Sequence, residues 1–328
     1  MSKSGIYLKY MAIVFSLVLL YGCQAMNAAK VDAISTETNS RTVEDGGTGP
    51  FTALMASDST LATHTIFRPK NLSTFGKKNK LPIIAWGNGA CANSPWEHVN
   101  FLSEIASYGY LVIAIGPMPA EGQRGAGGGM GGAGSTSSNS QLIDAINWAI
   151  AQDSNNTSIY YGKIDTKKIA AAGMSCGGLQ AYVAAPDPRV STVMICNSGI
   201  FNTTGEGGTR GGGARGGGMG GMPALTKEHL EKLHTPIIYI LGGESDMANP
   251  NGMDDFSRIK DLPAFAANME VGHGGTYGRP HGGEFAKVAT AWLQWQLKDD
   301  KEAAKMFESE PCGLAQDKNW KVEKKNIK

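Results

Sequence analysis

Residues 168–185 carry the stretch of sequence that decides the fold, K-I-A-A-A-G-M-S-C-G-G-L-Q-A-Y-V-A-A. Its apolar start predicts a strand, and its small residues after Gly177 predict a helix. Between them, Gly173-Met174-Ser175-Cys176-Gly177 has the pattern G-x-S-x-G. A sharp turn of this kind presents the serine above the sheet, and the two glycines let strand and helix approach closely. We therefore expect Ser175 to be a nucleophile at a helix N-terminus. A turn that merely needs small residues is the alternative.

Outward from this turn, the chain alternates between short apolar strands and amphipathic helices. The predicted strands cover residues 63–67, 82–86, 110–115, 168–172, 191–196, 236–241 and 266–271. Helical periodicity occurs in 96–105, 142–149 and 285–293. This alternation predicts an α/β fold with a mostly parallel central sheet and helices on both faces. Ligands bind such sheets beyond the carboxyl ends of the strands, so the functional residues are expected in the loops that follow strands.

A serine nucleophile requires a base that takes its proton and a carboxylate that orients the base. The strand at 236–241 leads into a loop with Asp246, which we predict to be the acid, and Glu244, which is the alternative. The strand at 266–271 leads into His273, the predicted base, and His281 is the alternative. The order serine, acid, histidine is typical of chains with this turn. The four preceding histidines are interpreted as structural: His64, His98, His229 and His234.

Acyl transfer at a serine also needs two N–H groups that stabilise the oxyanion. The residue after the nucleophile, Cys176, is expected to supply the first. The loop after the strand at 82–86 is expected to supply the second, with Asn88 as the predicted donor. Glycines in this loop, Gly87 and Gly89, allow its backbone to turn an N–H inward.

The first 22 residues are typical of a secretory signal. Two lysines precede an apolar run at 11–20, which is too short to span a bilayer. The run ends in Leu20-Tyr21-Gly22-Cys23, which resembles a bacterial lipobox with Cys23 as the lipidated residue. An ordinary cleaved signal is the alternative. We expect a lipoprotein signal peptide at 1–22, a flexible tether at 23–50 and a catalytic domain at 51–328, held in the exported cell envelope by the lipid alone.

Four further cysteines permit two disulfides in three possible pairings. Cys91 lies in the predicted oxyanion loop and Cys176 beside Ser175, so a disulfide between these two would lock the two N–H donors relative to each other. Cys196 and Cys312 would then form the second pair and fasten the C-terminus. Four buried thiols are the alternative. The cysteines and histidines lack zinc-like spacing, and neither a metal nor a cofactor is expected.

The composition excludes some partners and contains one anomaly. Thirty Lys and Arg against 29 Asp and Glu leave a net charge of +1, which argues against nucleic acid as a partner. Glycine is in excess, with 44 residues, and the excess lies in two windows at 122–134 and 205–221. We hypothesise that these windows form mobile flaps that contact a large or anionic substrate; tolerated low-complexity insertions are the alternative. Arginine and methionine lie in or beside the windows: Arg124, Met130, Arg210, Arg215, Met219 and Met222.

Taken together, the motifs around Asn88, Ser175, Asp246 and His273 resemble those of the α/β-hydrolase superfamily. Within it the chain is most similar to the cutinase-like, polyester-hydrolase and dienelactone-hydrolase-like branch, over roughly residues 50–300. The resemblance implies hydrolysis of small-molecule or polymeric carboxylic esters through an acyl-enzyme, with Ser175, Asp246 and His273 as the triad. Polyester hydrolases usually have Gly-His-Ser-Met-Gly at the turn and a tyrosine at the place of Asn88. Alternatives are a serine peptidase, an acyltransferase, or a catalytically silent envelope-binding lipoprotein on a hydrolase scaffold.

Overall fold

A computed structural model describes residues 34–121, 137–202 and 222–328. The predicted signal peptide and Cys23 lie outside the described residues, as do both glycine windows. No helix in the described ranges is long and apolar enough to cross a membrane. Of the residues singled out beside the windows, Met222 is described, and it packs at the margin of the core.

The described chain is a mixed α/β structure around a sheet of ten strands. The strands are β1 (Glu37–Arg41), β2 (Ala53–Asp58), β3 (His64–Pro69), β4 (Leu81–Gly87), β5 (Leu111–Ile115), β6 (Ile164–Met174), β7 (Thr192–Cys196), β8 (Ile237–Leu241), β9 (Ala264–Met269) and β10 (Trp320–Lys325). The α-helices are α1 (Val99–Ser107), α2 (Gln141–Ser154), α3 (Cys176–Ala184), α4 (Asn249–Arg258), α5 (Gly283–Lys298) and α6 (Lys301–Ala304). Each of the seven strands predicted from the sequence corresponds to one of β3 to β9, with ends that differ by a few residues.

The sheet has a parallel centre and antiparallel edges. Its strand order is β1-β2-β3-β5-β4-β6-β7-β8-β9-β10. The six strands from β5 to β9 in this order are parallel to their neighbours. The remaining strands β1, β2, β3 and β10 pair antiparallel. Because the central strands share one direction, their carboxyl ends meet at one edge of the sheet, and the loops that follow them gather there.

Helices cover both faces of the sheet and bury two cores. On one face, α2, α3 and α4 contribute Ala145, Leu179 and Phe256 to the first core. On the other face, α1 and α5 contribute Phe101 and Trp292 to the second core. Strand β4 supplies alternate residues to the two cores and is buried along its whole length. This burial on both faces explains why β4, β5, β7 and β8 are apolar along their length rather than alternating.

Part of the predicted flexible tether belongs to the sheet. Strand β1 lies within residues 23–50 and pairs antiparallel with β2. Its sequence, E-T-N-S-R, is polar and mostly exposed, so it lacks the apolar alternation that identifies strands. The strand is held instead by backbone pairing and by Glu37, whose carboxylate accepts two hydrogen bonds of 2.6 Å from Arg68 of β3. The prediction of a tether was therefore wrong for residues 37–41.

Candidate active site

Ser175 occupies the turn between β6, which ends at Met174, and α3, which begins at Cys176. Its backbone has φ 53° and ψ −118°, a conformation that non-glycine residues rarely adopt and that is concentrated at functional sites. The side chain remains partly exposed, although the strand and helix around it are buried. The predicted geometry of the turn is thus present, and Ser175 is not fully enclosed.

Two glycines make this turn possible. A Cβ on Gly173 would lie 2.2 Å from the carbonyl oxygen of Gly177, and a Cβ on Gly177 would lie 2.1 Å from the carbonyl carbon of Gly87. Such distances are far inside van der Waals contact, so neither position accepts a side chain without a backbone shift. The glycines therefore let β6, α3 and the end of β4 approach one another directly beside Ser175.

His273 and Asp246 meet Ser175 at the carboxyl edge of the sheet. The Oγ of Ser175 lies 3.0 Å from Nε2 of His273, and the Nδ1 of His273 lies 2.6 Å from Oδ1 of Asp246. Asp246 follows β8 and His273 follows β9, which places both on loops beyond parallel strands. The three side chains, remote in the sequence, form one continuous chain of hydrogen bonds from hydroxyl to carboxylate. This arrangement can transfer the serine proton to the imidazole.

The carboxylate of Asp246 is buried but fully supplied with donors. Its Oδ1 accepts hydrogen bonds from His273 and from the amide of Ala248 at 2.9 Å. Its Oδ2 accepts from the amide of Gly242 at 3.1 Å and from Nδ2 of Asn197 at 2.8 Å. Burial by itself raises the pKa of Asp246, but these four hydrogen bonds outweigh it and hold the pKa below its ordinary value. Asp246 is therefore ionised at neutral pH and can stabilise a positive charge on His273.

The alternative acid and base lie elsewhere. The side chain of Glu244 is 86% exposed and pairs with Lys321 at 3.2 Å. His281 sits in the turn before α5, with its Nδ1 3.5 Å from a carboxylate oxygen of Glu44. Neither is hydrogen-bonded to Ser175 in the described residues, so the structure brings Asp246 and His273, rather than the alternatives, to the serine. Among the earlier histidines, His64 and His98 are buried in the fold.

The loop between β4 and α1 packs against the start of α3. The amide nitrogen of Asn88 is 2.6 Å from the place that a Cβ of Gly177 would take, so Asn88 lies beside the helix start. Its buried side chain donates hydrogen bonds to the backbone oxygens of Ala92 at 3.0 Å and Ile115 at 2.7 Å. The loop turns through positive φ at Ala90 and Cys91 rather than at its glycines. The role of Asn88 as an oxyanion donor stays a prediction. The amide of Cys176 opens α3, where N–H groups lack intrahelical acceptors.

One of the two predicted disulfides is present. Cys91 and Cys176 are bonded, with their Cα atoms 5.1 Å apart. Cys196 and Cys312 are both buried free thiols, so the prediction of a second disulfide was wrong. The reason is the path of the tail: Cys196 ends β7, whereas Cys312 precedes β10, which is three strands away in the sheet order. The C-terminus is fastened by the pairing of β10 with β9 instead.

The predicted oxyanion loop is also held by two polar residues that the sequence analysis did not identify, Ser137 and Gln180. Ser137 donates from its amide at 3.0 Å and from its hydroxyl at 2.8 Å to the carbonyl oxygen of Cys91. Gln180 in turn donates from Nε2 to the hydroxyl of Ser137 at 2.9 Å. Gln180 lies four residues after Cys176, on the same side of α3 as the disulfide. A polar residue one helical turn after the cysteine was the available signal.

Asn197 was also missed, although the sequence carried a signal for it. It is a polar residue directly after β7, at the same edge of the sheet as Ser175, Asp246 and His273.

The described residues contain no group of three or more His, Cys, Asp or Glu side chains that could hold a metal ion.

Comparison of the sequence with protein-family models finds no match, and comparison with curated proteins finds no significant relative.

Proposed function

We propose that this chain is a serine hydrolase that cleaves carboxylic esters through an acyl-enzyme intermediate. The observation that carries the proposal is the hydrogen-bonded chain of Ser175, His273 and Asp246, with a partly exposed serine at a strained strand-to-helix turn. A nucleophile, a base and an orienting carboxylate at these distances are the parts that serine-based acyl transfer requires.

In the first half of the reaction, the Oγ of Ser175 bonds to the carbonyl carbon of the ester while its proton passes to Nε2 of His273. The π electrons of the carbonyl move onto its oxygen, and the N–H groups of Cys176 and Asn88 are the proposed donors to that oxyanion. Collapse of the tetrahedral intermediate breaks the bond to the alcohol, which takes the proton from His273. Asp246 stabilises the imidazolium between these two transfers.

In the second half, water replaces the alcohol. His273 takes a proton from a water molecule while the oxygen of that water bonds to the acyl carbon. When the tetrahedral intermediate collapses, His273 returns the proton to Oγ of Ser175 and the carboxylic acid leaves. The net reaction is ester plus water to carboxylic acid plus alcohol. Every proton transfer runs through one imidazole, so the proposal requires no group beyond those already described.

The fold class supports a place for this chain among the α/β-hydrolases. The serine is at a G-x-S-x-G turn after a central parallel strand, and the acid and the histidine follow later strands in the order serine, acid, histidine. This order and this turn are characteristic of that superfamily. The superfamily assignment is part of the proposal, as is the similarity to its cutinase-like, polyester-hydrolase and dienelactone-hydrolase-like branch.

The experiment that tests the proposal is labelling with a fluorophosphonate, which reacts with activated serines. We expect the wild-type protein and Ser73→Ala to be labelled and Ser175→Ala to be unlabelled, because Ser73 lies in an exposed turn away from the site. A folded wild-type protein that is not labelled would overturn the proposal in favour of a silent binding protein. A panel of p-nitrophenyl esters of increasing acyl length, with peptide and alcohol-acceptor assays beside it, separates an esterase from a peptidase or an acyltransferase.

We further propose that the protein is exported and held in the cell envelope by a lipid on Cys23. The support is the sequence alone: a positively charged start, a short apolar run and a cysteine at the end of a lipobox-like pattern. The test is fractionation of cells that express the wild-type chain or Cys23→Ser. We expect the wild-type chain with the membranes and the variant in the soluble fraction. Membrane association of both would show that Cys23 is not the anchor.

A further inference from the structure

Asn197 lies directly behind the catalytic carboxylate. It follows the last residue of β7, is fully buried and has φ 41°, in the left-handed region that asparagine tolerates better than most residues. Its backbone amide donates to Ile240 at 2.8 Å, which holds the residue at the end of β8. The backbone therefore places the side chain at a defined position beside the loop that carries Asp246.

The amide of Asn197 contacts both loops of the triad. Its Nδ2 donates to Oδ2 of Asp246 at 2.8 Å and to the carbonyl oxygen of Gly272, the residue before His273, at 3.3 Å. In the described chain it is the one side-chain donor to Asp246 other than His273. The acid and the base therefore share one buried amide group, which fixes the separation of their loops.

The orientation of this amide is set by Tyr277. The hydroxyl of Tyr277 donates to Oδ1 of Asn197 at 2.5 Å, which leaves Nδ2 to face the carboxylate. A flipped amide would place its oxygen against Oδ2 of Asp246 and remove the donor of that carboxylate oxygen, at a cost typical of buried unsatisfied groups. Burial raises the pKa of Tyr277 well above its ordinary value, so the hydroxyl keeps the proton that it donates.

Tyr277 is in turn fixed by aromatic packing in the second core. Its ring is in edge-on contact with His98, Phe101 and Phe285, at centroid distances of 5.0, 5.1 and 5.5 Å. The ring is 3% exposed, so it has little freedom to move away from Asn197. Packing in the core therefore restricts the position of the Tyr277 hydroxyl. Through the hydrogen bond to the Asn197 amide, it also restricts the position of the Asp246 carboxylate.

We propose that Asn197 is a positioning residue of the triad, which holds Asp246 in the orientation that His273 requires, and that Tyr277 fixes the direction of the Asn197 amide. This inference rests on the proposed function. The competing explanation is that Asn197 is needed only for the left-handed backbone after β7. Glycine would meet that need equally well, and the amide would then have no effect on catalysis.

The test compares Asn197→Gly, Asn197→Asp and Tyr277→Phe with the control Tyr239→Phe. Asn197→Gly keeps the left-handed backbone accessible and removes the amide. Asn197→Asp keeps the shape but sets a second carboxyl group against Asp246, and this group can donate only while it holds a proton. Tyr239→Phe also removes one buried hydroxyl, which bonds to Tyr182 at 2.8 Å in the first core, on the opposite face of the sheet. Thermal unfolding establishes that each variant is folded, and ester hydrolysis is measured from pH 4 to pH 9.

We expect Asn197→Gly to lower kcat by about 10- to 100-fold, the factor for losing one hydrogen bond to a charged group, and to leave KM within about twofold. Removing a donor raises the pKa of Asp246. Asn197→Asp is expected to lose kcat increasingly as the pH rises and the proton shared with Asp246 is lost, and Tyr277→Phe is expected to lose less than Asn197→Gly. Tyr239→Phe keeps the wild-type kcat. A purely structural role of Asn197 would not give Asn197→Asp a loss of kcat that grows with pH.

Several outcomes overturn the inference. A folded Asn197→Gly with the wild-type kcat does so, as does a loss confined to KM or an equal loss in Tyr239→Phe. If Asn197→Gly fails to fold, wild-type kinetics from pH 4 to pH 9 in both Asn197→Asp and Tyr277→Phe overturn it. Failure of the proposed function is distinguishable, because the wild-type protein would then neither be labelled at Ser175 nor hydrolyse esters, and the inference would fall with it.

Discussion

The disulfide between Cys91 and Cys176 joins the loop after β4 to the residue that follows Ser175, with the two Cα atoms 5.1 Å apart. The two segments are separated by 85 residues in the sequence. They supply the two proposed oxyanion donors, so the bond acts on the relative position of those donors. The loop also contains positive φ at Ala90 and Cys91, a conformation that needs support from its surroundings.

Removal of this disulfide is expected to impair both stability and catalysis. A loop of this length corresponds to about 4–5 kcal/mol in the chain-entropy description of disulfides. We expect the double variant Cys91→Ala with Cys176→Ala to lose stability of that order. Its kcat should fall by up to about 10²–10³-fold, the effect of losing one oxyanion donor. Urea unfolding and ester kinetics measure the two effects.

The control for the disulfide is Cys312→Ala, which removes a buried free thiol away from the site. We expect it to keep the wild-type kcat. Treatment of the wild-type protein with a reductant should reproduce the kinetic loss of the double variant. A double variant with wild-type kcat would show that the disulfide serves stability alone.

Asp246→Asn is expected to reduce kcat by about 10⁴-fold, the loss found when a triad aspartate becomes asparagine, because the amide no longer holds the imidazole in the reactive tautomer. The matched control is Glu244→Gln, since Glu244 lies in the same loop and is exposed. We expect this control to have the wild-type kcat. An equal loss in both variants would assign the effect to the loop rather than to the carboxylate.

Gly177→Ala is expected to lower the free energy of unfolding by about 1–3 kcal/mol, because its Cβ would overlap with Gly87 and force α3 away from β4. The displacement also moves Ser175 and Cys176, so kcat should fall in the folded fraction. Gly76→Ala is the control, since a Cβ there has no heavy atom within 4 Å. Equal unfolding curves for the two variants would contradict the close approach of β4 and α3.

His98 predicts a pH dependence of stability. Burial lowers its pKa from the ordinary value of 6.5 to about 3, because the folded protein cannot hydrate the charged ring. Between these two values the unfolded chain binds a proton that the folded protein does not bind. Stability is therefore complete above about 6.5 and is lost as the pH falls toward 3, with a slope of up to about 1.4 kcal/mol per pH unit from this group.

The measurement is the urea midpoint of the wild-type protein and His98→Phe at several pH values from 7 to 4. The variant keeps an aromatic ring against Trp86 and Tyr277 and removes the titrating group, so its stability should fall less steeply with acid. His234→Gln replaces an exposed histidine and should keep the wild-type slope. Parallel slopes for all three proteins would contradict the prediction.

Local sequence patterns predicted the strands of the parallel centre. Strands β4, β5, β7 and β8 are short and apolar because both of their faces are covered, and that burial is visible in the sequence itself. Strands β1, β2 and β10 were not predicted. β1 and β10 are edge strands with exposed polar residues, E-T-N-S-R and W-K-V-E-K-K. β2 has the sequence A-L-M-A-S-D, whose Ala, Leu and Met favour a helix by propensity. Each of these strands pairs with a strand elsewhere in the chain, and a local sequence pattern does not identify that partner.

The sequence by itself determined the G-x-S-x-G turn, the order of Ser175, Asp246 and His273, and the placement of each after an apolar strand. It did so because the apolar run of a strand and the geometry of a turn depend on residues that are neighbours in the chain. Only the tertiary structure decided that Asn197 and Tyr277 stand behind Asp246 and that Cys196 and Cys312 remain apart. Those relationships depend on the order of strands across the sheet and on packing between its face and the helices, which act between residues far apart in the chain.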